Sequence, residues 1–339
     1  MPKKNTFILL TFLLFLFSCD SNPWKVDLNE VDLELDWKRF DLALYKNSHG
    51  DFNASSWNDL LEEFPNLLPL YVEKVMQFGP INDPASKNTL KQFLSNEDIK
   101  GLLRDVAEKY KEGSLDKQQK EITNAFKRYH YHFAENEIPV VRTLVSAFTY
   151  STVAAEGLLG LCIEMYMGAD YELYPRIGIP QYKFKNYDIE YLPSDAIKGW
   201  LTSEFEKNIG KNLLERMIFN GKIIYLTKAF LPNSKDYYAF NYDAEDLEWC
   251  EKNEVDIWYH FIDAELFYTN DAKKIKKYMG DAPFITGFPE GSPGRVGEWI
   301  GYKIVESYMK NNEQLSLKDL MNEENADKIL QQSRYKPKR

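Results

Sequence analysis

Apolar positions change period several times along the chain, and each change marks a boundary. Phe7 to Phe17 is a run of eleven residues with only Thr11 polar, behind Lys3 and Lys4, and it stops in polar sequence. A spanning helix needs about 20 apolar residues, so this run has the length of an export signal. Val26, Leu28, Val31, Leu33 and Leu35 then nearly alternate with polar residues, which predicts a tether running into an extended segment. From Ser55 the spacing becomes helical, with Trp57, Leu60, Leu61 and Phe64 on one side and Pro65 and Pro69 punctuating the run before Leu70 to Phe78. Ser95 with Asp98 reads as a capping box for a helix carrying Ile99, Leu102, Leu103 and Val106, closed by Gly113. Another helix runs from Leu115 to about Tyr131, with Ile122, Ala125, Phe126 and Tyr129 on one side.

The period then shortens. Residues 138–145 and 160–167 are β-branched or apolar runs bounded by turn residues, which predicts two or three strands. Pro175, Gly178 and Pro180 form a loop, and Ser194 is placed to cap a helix containing Ile197, Trp200, Leu201 and Phe205. The chain stays mainly helical through Leu213–Leu231, Ala244–Tyr268 and Arg295–Lys310. The expected fold is α+β, predominantly helical, with a small β-sheet set in a helical shell.

Leu16, Phe17, Ser18 and Cys19 close the apolar run in the manner of a bacterial lipobox, whose cysteine becomes the lipidated first residue of the mature chain. The expected partition is a lipoprotein signal peptide at 1–18, a lipidated cysteine and tether at 19–36, and one helix-rich domain at 37–339. Asp20 and the Ser21-Asn22-Pro23 stretch that follows carry no acidic cluster, which favours the periplasmic side of a membrane. Losing residues 1–19 removes Lys3 and Lys4 and no acid, so the formal charge moves from −10 to −12. Nucleic acid and anionic lipid both need a basic face, and this balance argues against them as partners. Cys162 and Cys250 are the cysteines left after Cys19, too few for a disulfide framework, and are expected as buried thiols.

Several longer stretches carry a resemblance. AFKRYHYHF with IPVVRTLVSAF, LCIEMYMGADYELYP followed by GIPQY, LEWCEKNEVDIWYHFIDAELFYTND, and GFPEGSPGRVGEWIGYKIVESYM together resemble the gliding-motility lipoprotein GldB family, from the lipobox through KILQQSRYKPK. The resemblance implies an envelope lipoprotein of the gliding machinery and its linked protein-secretion apparatus, with other envelope proteins as partners and no established enzymatic activity. That family is in turn distantly similar to zincin metallopeptidases, which implies a degenerate zincin-like fold. Zinc catalysis needs two imidazoles four residues apart on one helical face and a glutamate to activate water. In the matching slot this chain has Ser203-Glu204-Phe205-Glu206-Lys207, with Glu204 as the one remnant, and Asn220 stands where a third ligand is expected. Ser203, Glu204, Lys207 and Asn220 are therefore the candidate lining of a vestigial cleft with no catalytic residue, no metal and no cofactor.

Other candidate chemistry is thin. His130 and His132 would face one way on a strand and could hold a metal, but no third ligand stands nearby, while His260 among Trp258, Tyr259 and Phe261 reads as a hydrogen-bonded boundary residue. Gly291, Gly294 and Gly297 before a helix, with Arg295, could admit an anion; without a nucleotide-binding motif they read better as a turn, with Gly297 and Gly301 leaving a smooth helical face. Glu164 and Glu265 lie in or beside apolar runs and are candidates for burial. Ser146 and Ser292 lie in no nucleophile elbow. The leading expectation is a non-enzymatic docking component. Two others stand beside it: a hydrolase of metallopeptidase descent, and an old catalytic cleft that binds peptide without metal.

Overall fold

A computed structural model of the chain describes residues 24–50 and 52–337; Cys19 and the whole signal segment lie outside the described residues. The fold is predominantly helical α+β with one four-stranded mixed sheet, as the sequence pattern predicts. The sheet contains β1 (Trp37–Arg39), β2 (Val140–Leu144), β3 (Thr152–Ala155) and β4 (Leu158–Cys162), in the order β1-β2-β4-β3. β1 and β2 are parallel, with Trp37 opposite Val141, and β2 and β4 are parallel, with Val141 opposite Leu159. β3 is antiparallel to β4 and forms one edge. The second predicted strand is shorter than expected: past Cys162 the chain turns as a 3-10 helix, Ile163–Tyr166, and Glu164 points into the core.

Seven helices carry the argument: α1 (Phe40–His49), α2 (Glu97–Lys109), α3 (Asp116–His132), α4 (Leu192–Glu204), α5 (Leu213–Phe230), α6 (Val296–Asn311) and α7 (Ala326–Ser333). Their caps correct two sequence expectations. α2 is capped by Asn96, whose side chain accepts from the N–H groups of Asp98 and Ile99, while Ser95 ends the preceding helix and donates to the Lys91 carbonyl. Asparagine caps as well as serine and stands one residue closer to the helical run. Ser194 caps nothing; α4 begins at Leu192, with Pro193 in its first turn, where a missing N–H costs least, and Ser194 is buried. α4 ends at Glu204, so Phe205, expected inside the helix, lies just beyond it: Phe205 closes the last turn onto the Leu201 carbonyl and Glu206–Asn208 form a separate 3-10 turn.

α5 is apolar on nearly every side and lies at the centre, crossed closely by α6. The crossing depends on two glycines: a Cβ on Gly301 would run into the Met217 carbonyl, and one on Gly221 into the backbone of Gly301. Gly301 provides the close approach expected of it against α5, while Gly297 lies against Tyr278 and Met279, where a Cβ would come 3.0 Å from the Tyr278 carbonyl. Residues 24–36, read from the sequence as part of a tether, are packed on the body from Trp24 onward. Val26 and Val31 are buried, and Arg142 holds Asp36 through its carboxylate at 2.7 Å and its carbonyl at 2.6 Å. Cys162 and Cys250 are free, buried thiols, as expected. Among the described residues no helix is long and apolar enough to cross a membrane.

Glu164 is fully buried, and one of its oxygens holds the loop after β2. Oε1 accepts from Ser146 N at 2.7 Å, Ser146 Oγ at 2.8 Å and Phe148 N at 3.1 Å, while Oε2 has no hydrogen-bond partner among the described residues. These bonds fix Ala147 and Phe148, both non-glycine residues in left-handed backbone, a conformation that costs about 1 kcal/mol or more each. Burial pushes the Glu164 carboxyl up to about 7, against the pull of its three donors.

Two predictions follow from these packing and burial arguments. Gly301→Ala is expected to lower unfolding stability by about 3 kcal/mol or more through overpacking, whereas Gly101→Ala, which meets only the Arg104 side chain in α2, should stabilise by up to about 1 kcal/mol; denaturant unfolding distinguishes them. Because the folded state holds the Glu164 proton to higher pH than the unfolded chain, its contribution is intact below about pH 4.5 and is lost as pH rises through 7. Glu164→Gln should therefore gain about 3 kcal/mol relative to the parent protein between pH 5 and 8, and parallel stability curves would disprove the burial argument.

Candidate functional site

A cleft of about 900 Å³ opens beside the free edge of the sheet. It is lined by β3 and the loop that leads into it, which Glu164 holds, by Asp195, Lys198, Gly199 and Thr202 of α4, and by Asp281 and Arg295. Gly199 lets α4 lie close to the edge strand, since a Cβ there would come 2.6 Å from Thr152 Oγ1.

The polar groups converge on Asn241, which adopts left-handed backbone with φ 51°, a conformation that asparagine tolerates better than most residues. Its amide nitrogen donates to Asp195 Oδ1, and its side-chain oxygen accepts from Lys198 Nζ. Its backbone carbonyl accepts from Arg295 Nη2 and from Asn186 Nδ2, each at 2.6 Å. The other oxygen of Asp195 accepts from the Tyr166 hydroxyl at 2.8 Å. Arg295 sits at the N-terminal boundary of α6 with φ 56°, its guanidinium 5.8 Å from the Tyr242 ring centre. Its Nε lies 3.2 Å from Asp281 Oδ1, close enough for an ion pair but not aligned as a hydrogen bond. Lys183 reaches the other Asp281 oxygen at 3.2 Å, and Lys185 is paired with Asp246 at 2.6 Å.

Half-burial sets these charges against each other. It pushes the Asp195 carboxyl up, with Lys198 and Asn241 pulling back, and it pushes Glu298 of α6 up as well. It lowers the Lys198 ammonium, with Glu298 opposing. Burial also works against the Arg295 charge, but Glu298 and Asp281 outweigh it and the group is held more firmly protonated than usual. For Asp281 burial likewise loses, to Arg295 and Lys183, so its carboxyl is held low. Lys198 is set apart in this network: among the described residues no carboxylate lies within 4.0 Å of its Nζ. The cleft thus presents a free sheet edge, one cation without an ion-pair partner and acceptors beside it. That combination suits a peptide main chain carrying an acceptor group.

The residues singled out from the sequence do not assemble into one site. Ser203 lines the cleft. Glu204 turns elsewhere and accepts from the Tyr129 hydroxyl and the Asn136 amide, each at 3.2 Å. Lys207 lies in the turn beyond α4, and Asn220 donates within α5 to the Arg216 carbonyl at 2.9 Å. Among the described residues no hydrogen bond joins any two of the four. The slot at 203–207 cannot form one helical face because α4 stops in its middle. His130 and His132 are at the end of α3, not on a strand, and residues two apart on a helix diverge. His260 bonds to the Tyr278 hydroxyl at 2.9 Å, as a boundary histidine should. Glu265 is exposed. Among the described residues no group of three or more His, Cys, Asp or Glu is placed to hold a metal ion. Sequence reading missed Asp195, Lys198, Asn241 and Asp281. One signal was available: Asp195 and Lys198 are three apart in α4, amid the buried Ala196, Ile197 and Trp200.

Comparison with known proteins adds one finding. No curated protein and no solved structure matches the chain. The family model described as gliding motility protein GldB matches residues 21–337, nearly the whole chain, and the chain accordingly belongs to the GldB family of gliding-motility lipoproteins.

Proposed function

We propose that this lipoprotein is a non-enzymatic docking component of the gliding machinery and its linked secretion apparatus. Lipid on Cys19 fixes the domain to a cell-envelope membrane, facing the periplasm, and the cleft receives an extended segment of another envelope protein. The observation that carries this reading is the position of β3, an edge strand that lines the cleft together with Lys198. An edge strand offers main-chain donors and acceptors to a peptide laid beside it, and fixed charges nearby set which peptide enters. The mechanism needs no cofactor: confining partners to one surface raises their effective concentration without new contacts. The acidic balance of the chain favours partners with a complementary basic face.

Anchoring rests on the acyl chains, each buried CH₂ adding about 0.8 kcal/mol. Cys19→Ser is expected to move the protein from the membrane to the soluble fraction, and unchanged membrane association would contradict the anchor. A photo-crosslinking residue at Thr152 should capture an envelope protein in living cells, and Lys198→Glu should reduce that adduct about tenfold or more. Adducts from an outer-face position such as Lys120, with none from Thr152, would place docking outside the cleft.

A further inference from the structure

We propose that Trp24 fastens the anchored end of the chain to the body, so that the lipid orients the domain, with the face carrying Trp24, Tyr131 and His132 held against the bilayer. The inference rests on lipidation at Cys19.

Trp24 is a docked residue. Its Nε1 donates to the Tyr225 hydroxyl of α5 at 3.1 Å, and its ring stands edge-on to His132 at 6.0 Å and to Tyr225 at 6.3 Å. It lines a cavity of about 800 Å³ together with Tyr225 and Tyr302. The chain behind it is also fixed, through buried Val26 and Val31 and the Arg142 pair with Asp36. Five peptide steps separate Cys19 from Trp24, which span at most about 18 Å. A domain of this size has a radius of gyration of roughly 20 Å and is about 50 Å across. The reach is shorter than the body, so only the face around Trp24 can meet the membrane. Had the chain first joined the body at Trp37, eighteen steps of about 3.4 Å would give about 60 Å and leave every face available.

The surface beside the joint has suitable chemistry. Tyr131 is 61% exposed and packs edge-on to His132 at 5.1 Å, one ring away from Trp24. Tyrosine and tryptophan, apolar in body and polar at the tip, favour the boundary between lipid and water. The segment behind Trp24 carries Asp27, Glu30, Asp32, Glu34 and Asp36 against Lys25, so charge does not draw this face to anionic lipid. The partner is therefore a neutral, zwitterionic bilayer surface, held close by the acyl chains.

The test uses the full lipidated chain in phosphatidylcholine vesicles that carry a headgroup nitroxide quencher. A fluorophore is placed on Tyr131→Cys or on Asp116→Cys, at opposite ends of α3 and about 22 Å apart along its axis. Cys162 and Cys250 are buried and escape labelling. Quenching at position 131 is expected to exceed that at 116 by about threefold or more. Because Val26 and Val31 also fix the chain, the variant that tests the joint combines Trp24→Ala with Val26→Ser and Val31→Ser, which moves the first fixed point to Asp36, seventeen steps or about 60 Å from Cys19; it should stay on the vesicles and reduce the difference below about 1.5-fold. Equal quenching at the two sites on vesicle-bound protein overturns the orientation alone, as does a triple variant that keeps the full difference. Failure of the parent chain to float with vesicles would instead overturn the anchor, and the orientation with it. The two-site comparison needs no change at Trp24 and stands even if that variant folds poorly.

Discussion

The close crossing of α5 and α6 is the constraint on which the rest of the molecule depends. Two glycines, Gly221 and Gly301, let the backbones approach to a distance that any side chain would block. Because α6 is clamped there, its first turn has no freedom to move, and that turn carries Arg295 and Glu298. Arg295 thus owes its place in the cleft to helix packing about two turns away. The same central helix supplies Tyr225, the hydroxyl on which Trp24 docks, so one buried element positions both the cleft and the segment that begins at Trp24.

Within the cleft, the organising residue is an asparagine. An amide can donate and accept at once, and Asn241 uses both capacities to join Asp195 to Lys198 while its carbonyl takes Arg295. A carboxylate in its place would repel Asp195, and a lysine would repel Lys198. The network leaves Lys198 bonded to a neutral oxygen rather than to a carboxylate, which keeps a donor in reserve for a ligand. Its parts are donors and acceptors placed beside a strand edge.

The general architecture was legible because it rests on periodicity. Helical spacing around Leu102, Phe126 and Trp200 and the apolar runs near 140 and 160 specify a helix-rich fold with a small sheet, and Gly297 and Gly301, four apart, reveal a face made for close approach. What escaped depends on side chains acting out of register. Glu164 abandons its strand because its carboxylate is drawn inward to hold the loop at 146–148, an event no hydropathy pattern records. The end of α4 at Glu204 removed the helical face on which the slot at 203–207 depended, since helix ends are the least determined feature of a sequence. Asn241 and Asp281 reach the cleft from loops far along the chain, where spacing carries no information about neighbours in space. The lipobox reading concerns residues outside the described structure and ahead of the family match, which begins at residue 21, and it stands on the sequence.

The central claim is that this cleft docks a segment and performs no metal chemistry. It is tested most directly by the zinc content of residues 20–339 purified without chelator, measured per chain by elemental analysis. The account predicts a value near zero. A value near one tightly held zinc per chain would contradict it and would return the site to the hydrolases.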